Sequence, residues 1–259
     1  KKTRHMPSVI DFLIPFKSSQ VSVDWSNDST LLRRTLESIQ GQSKDAFRIF
    51  LVCHDLPDFT INDSRIHVVH ADWLPPRREG YVSEGMNDKW RKLHLGLVAA
   101  SADPSSYIMF VDADDLVSRR IVEFCSHDRH PYGYMLKTGY VHRKGGRFMR
   151  YTSGFNCGTN AIVNTSTIAM PYTMDITASN NCLILANGHT RIEHAMRESG
   201  HPLGILPFPG AVYTVHNDNH SKSVYGESRL LFFKQTLGNI WSYRYLNDRL
   251  RNEFSIRVI

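Results

Sequence analysis

Apolar positions along the chain gather into short continuous runs separated by stretches of helical spacing. Val9-Ile10-Asp11-Phe12-Leu13-Ile14 is a mostly apolar run stopped by Pro15, which predicts a buried strand. Asn27, Asp28 and Ser29 offer N-caps to a helix in which Leu31, Leu32, Thr35, Leu36 and Ile39 recur at helical spacing and which Gly41 closes. Phe47–Cys53, apolar except for Arg48, predicts a second strand, and Ile66–Val69 a third. A helix from Asp88 to Ala100 follows, with Trp90, Leu93, Leu97 and Ala100 on one face. Tyr107–Val111 is a fourth strand, ending in acids, and Ser118 can cap a helix through Phe124. This rhythm is that of an α/β sheet with parallel members.

Beyond residue 130 the pattern changes. Tyr132–Thr152 is rich in Tyr, Gly and Arg and carries a Gly145-Gly146 turn signal, which predicts irregular strands or a hairpin. Gly158–Val163 and Ala211–Val215 read as strands, and His189–Ser199 as a helix closed by Gly200. Arg229–Arg249 reads as a long helix with Leu230, Phe233, Leu237 and Trp241 on one packing stripe. No internal repeat or low-complexity linker interrupts the chain. One domain over 7–222, with a helical extension over 223–259 packed on it, is the economical division.

Composition narrows the class. With 41% hydrophobic and 22% charged residues, the 259-residue chain can bury a core, so disorder as its main state is excluded. No apolar run approaches the roughly 18 residues of a membrane span. No apolar segment follows the basic start, as a secretory leader would need. The net charge of +6 is scattered in pairs such as Arg33-Arg34 and Arg77-Arg78. A nucleic-acid footprint would be more concentrated; a solvated basic surface with a small anionic ligand fits better. Cys53, Cys125, Cys157 and Cys182 form no Cys-x-x-Cys pair, which removes zinc-knuckle and redox motifs and favours a reducing, cytoplasmic setting.

The chemistry concentrates at Val111-Asp112-Ala113-Asp114-Asp115. Ligands of open α/β sheets bind at the carboxyl ends of the strands. Several carboxylates crowded there repel one another unless a cation compensates. Asp112 and Asp114, two apart on extended chain, point the same way and can share one metal. Hard oxygen ligands suit Mg²⁺ or Mn²⁺, which complete their shells with water and substrate phosphates. The plain alternative is helix capping, and Asp115 is placed to do it.

These features together resemble the nucleotide-sugar glycosyltransferases of the GT-A fold, in the broad family 2 group of bacterial and phage enzymes. The resemblance spans roughly residues 8 to 222 and lies in the order of the motifs. Phe12-Leu13-Ile14-Pro15-Phe16 is similar to the family's first strand, whose end lies against the nucleotide base. Val52-Cys53-His54-Asp55 sits where the family has paired base-contacting aspartates, of which Asp55 alone matches. Asn87–Ala100 resembles the basic helix before the acidic motif, and Asp112-Ala113-Asp114 matches the family's Asp-x-Asp. Gly158-Thr159-Asn160-Ala161-Ile162 resembles the strand beside the donor sugar. Val215-His216-Asn217-Asp218-Asn219-His220-Ser221 resembles the late segment that gives a metal or phosphate ligand through histidine.

The resemblance implies an α/β fold of Rossmann-like, mixed but mostly parallel sheet flanked by helices. It implies a UDP-sugar or related donor, a glycan or other hydroxyl acceptor, and Mn²⁺ or Mg²⁺. Asp114 is the first candidate for direct metal ligand. Asp112 is the candidate for the ribose or the metal's waters, and His216, with His220 as alternative, for the third ligand. Lys89 and Lys92, three apart on one helical face, are candidates for a phosphate, the base or the ribose. Pro15, Phe16 and Ala113 would line the nucleotide, and Asp55 would accept from a uracil N3–H. One departure matters. Where inverting members carry Glu-Asp at the start of the late helix, this chain has Gly188-His189-Thr190. The base is then Glu193, His189 or Asp175, or the reaction is retaining. Two rivals remain: a GT-A-like module that binds without turnover, and an Asp-x-Asp-x-Thr phosphohydrolase. Against the second, Leu116 stands at the Thr position and the motif follows the fourth strand.

Overall fold

The computed structural model describes residues 8–77, 81–216 and 240–257. Its first strands are β1 (Ile10–Pro15), β2 (Phe47–Cys53), β3 (Ile66–His70), β4 (Tyr107–Phe110), β5 (Leu116–Val117) and β6 (Gly133–Met135). They are followed by β7 (Gly139–Arg143), β8 (Phe148–Thr152), β9 (Ala161–Asn164), β10 (Gly204–Ile205), β11 (Ala211–Val215) and β12 (Tyr243–Tyr245). The helices are α1 (Trp25–Gln40), α2 (Tyr81–Ala100), α3 (Ile121–His127), α4 (Ile176–Asn181), α5 (Leu183–Glu198) and α6 (Asp248–Glu253).

A seven-stranded sheet has the order β10-β6-β9-β4-β1-β2-β3. β1 runs parallel to β2 and β4, and β2 to β3, while β9 is antiparallel to both β4 and β6. This is the expected α/β class, with a mixed and mostly parallel sheet. Its inner strands are apolar on both faces because helices cover both. Ile10, Phe12 and Ile14 of β1 join Leu32, Leu36 and Ile39 of α1 in one core. Leu13 points the other way and packs with Leu93 and Leu97 of α2 and Ile192 and Met196 of α5. Period-two alternation thus sorts one strand between two helical layers. Asp11, fully buried in β1, is accounted for by Arg48, which donates to both its oxygens at 2.8 and 2.9 Å, and by Ser105 Oγ at 2.7 Å.

A second sheet has the order β12-β8-β7-β11-β5. β7 and β8 form the hairpin foreshadowed by Gly145-Gly146. Gly145 has φ +77°, and Gly146 N donates to Arg143 O at 2.8 Å.

Several boundaries differ from the sequence reading. α1 begins at Trp25 because Asp24 is its cap, accepting from Asn27 N, while Asp28 is buried and pairs with Lys17 at 2.8 Å. α2 reaches back to Tyr81. α3 begins after Arg120, which makes no side-chain cap bond; Ser118 Oγ accepts from Arg120 N at 3.2 Å, and Gln42 Oε1 accepts from Val122 N at 3.0 Å in the first turn. The long helix over 229–249 is corrected where it is described. Residues 240–242 form a 3₁₀ turn, Tyr243–Tyr245 pair with β8 as a strand, and Trp241 is 89% exposed. The helical extension is therefore limited, among the described residues, to α6, whose Leu250 packs beside Phe254 against Leu116 and Val212. Leu230, Phe233 and Leu237 lie outside the described residues.

Candidate active site

The parallel arrangement of β1, β2 and β4 brings Phe16, His54-Asp55 and Asp112–Asp115 out at one edge of the sheet. β9 enters beside them in the opposite sense, with Ile162 level with Met109, so Gly158 and Thr159 lie against Asp112. Thr159 Oγ1 accepts from Asp112 N at 3.0 Å and donates to Asp115 Oδ2 at 2.7 Å. The turn is also fixed from α1, where Thr35 Oγ1 donates to the Ala113 carbonyl at 2.9 Å. β11, antiparallel to β5, brings Thr214 N to 3.3 Å from Asp115 Oδ1 and His216 Nε2 to 2.8 Å from Asp114 Oδ2.

The three acids have different environments. Asp115 does not cap a helix; it is fully buried. Burial first, and then Asp114 and Asp112, push its carboxyl well above the usual carboxylate range. Asp112 meets Lys89 Nζ at 2.5 Å. Burial pulls that ammonium down, but Asp112, Asp114 and Asp115 outweigh it and leave Lys89 above its ordinary value. Lys89 and Asp112 line a narrow slot with Trp90, Phe110, Gly158, Asn160, Ile184 and His189.

His189 owes its place to Gly188, whose φ of +60° breaks the helix within α5 and starts a new turn at His189. A Cβ at Gly188 would lie 3.0 Å from the Trp90 ring. Asn160 Nδ2 donates to the His189 carbonyl at 2.9 Å and ties that turn to β9. Burial, and secondarily Lys89, hold the His189 imidazole below its ordinary range.

The other candidates from the sequence lie apart from this slot. Glu193 accepts from Lys137 Nζ at 2.5 Å and pairs with Arg197 at 3.4 Å. Asp175 caps α4 through Thr177 N at 2.8 Å. Phe16 packs on Trp25 with ring centroids 4.9 Å apart and is 1% exposed, while Pro15 is partly buried at the end of β1. Lys92, also 1% exposed, donates to Phe16 O at 2.8 Å and to Asp88 Oδ2 at 2.6 Å; burial lowers its pKa. Asp55 accepts from Ser18 Oγ at 2.7 Å and Ser19 N at 2.9 Å, bonds that overcome burial and lower its pKa. His220 lies outside the described residues. Sequence reasoning did not join Asp88 and Trp73 to Lys92 and His54, yet Asp88 pairs with buried Lys92, Trp73 Nε1 donates to Asp88 Oδ1 at 2.9 Å, and His54 Nε2 lies 3.9 Å from the same oxygen. The i,i+4 spacing of Asp88 and Lys92 was the available signal.

Among the described residues, no three His, Cys, Asp or Glu side chains converge as a complete metal site. Asp114 and His216 nevertheless meet at one point with a carboxylate oxygen and an imidazole nitrogen. That pair fits a divalent cation completed by phosphate oxygens and water, as Mn²⁺ or Mg²⁺ accept.

No protein-family model matches the sequence, and no curated protein matches it significantly. Among solved structures, the chain is similar to S. aureus TarS 1–349 in complex with UDP-GlcNAc, at 12% identity and a TM-score of 0.45, over 84% of this chain and 62% of that one. The same TarS segment, in a second crystal structure, gives 12% identity and a TM-score of 0.46, over 80% and 60%. The chain thus spans about three fifths of the length of these TarS chains. Rv0371c of Mycobacterium tuberculosis H37Rv, in complex with manganese, is similar at 11% identity and a TM-score of 0.37, over 90% of this chain and 100% of that one. Likeness of this degree leaves activity to be argued from the residues themselves. Among the described residues, no helix is long and apolar enough to cross a membrane.

Proposed function

We propose that this chain is a metal-dependent glycosyltransferase of the GT-A type. It would move a hexose from a nucleotide-diphosphate donor, with UDP-sugars favoured, to a glycan or other hydroxyl acceptor. The observation that carries the reading is the double pairing at one sheet edge, Asp112 with Lys89 and Asp114 with His216, beside the slot that His189 lines. Asp114 and His216 would hold Mn²⁺ or Mg²⁺ together with diphosphate oxygens, while Asp112 holds the ribose or the metal's waters. When bound, the cation supplies charge neutralisation to the leaving diphosphate. Lys89 is a second positive charge, already placed to exchange Asp112 for a phosphate oxygen.

In an inverting reaction His189 would take the acceptor proton, because burial keeps its imidazole uncharged. Asp55, held by the loop after β1, would select uracil. We place the catalytic domain over 7–222, with 223–259 packed on it. The four unpaired, buried thiols accord with a cytoplasmic setting.

The test is a panel of nucleotide sugars incubated with the full chain, with and without Mn²⁺, without acceptor. Metal-dependent release of the nucleoside diphosphate from a UDP-sugar is expected. The missing carboxylate at the start of the late helix favours one second reading, a module that binds without turnover. Binding of UDP with no hydrolysis or transfer from any donor would select it. Phosphate release from a generic phosphate ester would instead point to a phosphohydrolase.

A further inference from the structure

A second cavity, of about 350 Å³, shares no lining residue with the slot beside Asp112. It lies where the C-terminal residues meet the second sheet. Tyr140 of β7 and Tyr245 of β12 wall it, and Arg120, Arg244 and Arg249 stand around it with Glu253 as the one acid. That acid is committed. Glu253 Oε1 accepts from Arg120 Nε at 2.8 Å and from the Ser118 hydroxyl. Arg120 is further engaged over the Phe208 ring at 4.1 Å.

Among the described residues, Arg244 donates only to neutral backbone carbonyls, those of Trp241 and, at 3.1 Å, Tyr243. Arg249 has no carboxylate partner among the described residues. Among the described residues, these two exposed guanidinium groups therefore pair with no carboxylate at a cavity of small-molecule size. A planar guanidinium meets phosphate oxygens in pairs, and tyrosine faces accept a sugar ring.

We propose that this cavity is a binding site for a sugar phosphate. Arg244 and Arg249 receive the phosphoryl group, and Tyr140 and Tyr245 receive the ring. The site is independent of the transferase reading, since none of its residues belongs to that centre.

The test is calorimetric titration of the full-length Asp114→Ala chain, which removes the metal ligand of the other site, with glucose 6-phosphate, glucose and inorganic phosphate. Glucose 6-phosphate is expected to bind at least about tenfold more tightly than inorganic phosphate, and glucose not to bind measurably. Arg244→Ala/Arg249→Ala is expected to weaken glucose 6-phosphate by tenfold or more. If that variant loses its cooperative melt, Arg244→Lys/Arg249→Lys replaces it and is expected to weaken binding in the same direction, because the paired fork is lost. No glucose 6-phosphate binding at millimolar concentration, or binding unchanged in the folded arginine variants, would overturn the assignment.

Discussion

His189 and Glu193 lie one turn apart on α5, yet their side chains meet opposite surroundings. His189 lines the slot with Asp112, and burial first, then Lys89, holds it below the ordinary imidazole range. Glu193 is bound by two cations, Lys137 and Arg197. His189→Gln is therefore expected to lower kcat by about 10²–10⁴ with little change in KM for the donor, whereas Glu193→Gln should cost less than about tenfold. Steady-state kinetics of the two variants decide this, and the opposite ranking would move the base to Glu193. Because its pKa is lowered from 6.5, His189 stays uncharged as pH falls through that value. In wild type, kcat should hold to below pH 6.5 and decline only under it. At this scale the sequence spoke where chemistry was out of place: two acids at the end of an apolar strand, and histidines at a strand end and a helix start. It did not separate Lys89 from Lys92, and it read Asp115 as a helix cap where the fold buries it. Their difference depends on which carbonyl or distant strand lies across from each side chain.

β9 does more for the centre than its four residues suggest. Running against β4, it sets Gly158 on the Asp112 carboxylate and Thr159 between Asp112 and Asp115. A Cβ at Gly158 would stand 2.3 Å from Asp112 Oδ2, so the carboxylate must shift. Gly158→Ala is expected to reduce kcat/KM by about 10²-fold, the cost of misplacing a group by roughly an ångström. The far-ultraviolet circular dichroism spectrum should stay unchanged. Wild-type activity in that variant would show that Asp112 needs no such placement. Elements with a continuous apolar run or a sustained helical stripe were legible in the chain: β1, β2, β4, β11 and the body of α1. The two-residue strands β5 and β10 were not, since pairing alone defines them. Tyr243–Tyr245 sat within a helical pattern, but the edge of β8 claimed it as a strand.

Over the whole molecule, acid should act through histidine. Burial lowers the pKa of His54, His94, His142 and His189 from 6.5. Each is more readily protonated in the unfolded chain, so the stability it contributes is present above pH 6.5 and is lost as pH falls below it. Asp115 has the opposite sign. Its raised pKa contributes stability below 3.8 that is lost as pH climbs to the folded value. With Asp115→Asn removing the opposing carboxyl, the melting temperature is expected to fall between about pH 7.5 and 5, and a flat profile of that variant across the window would contradict the burial of the imidazoles. The central claim is that the edge holding Asp112 and Asp114 seats a nucleotide diphosphate with a divalent cation. The most direct measurement is the thermal shift of the full chain with UDP and Mn²⁺ together, each alone, and both with Asp114→Ala. At about one hundred times the dissociation constant, binding stabilises by about 2.7 kcal/mol, a rise of about 5 °C or more. That rise is expected only for wild type with UDP and Mn²⁺ together. No shift at millimolar ligand, or an equal shift in Asp114→Ala, would contradict the account.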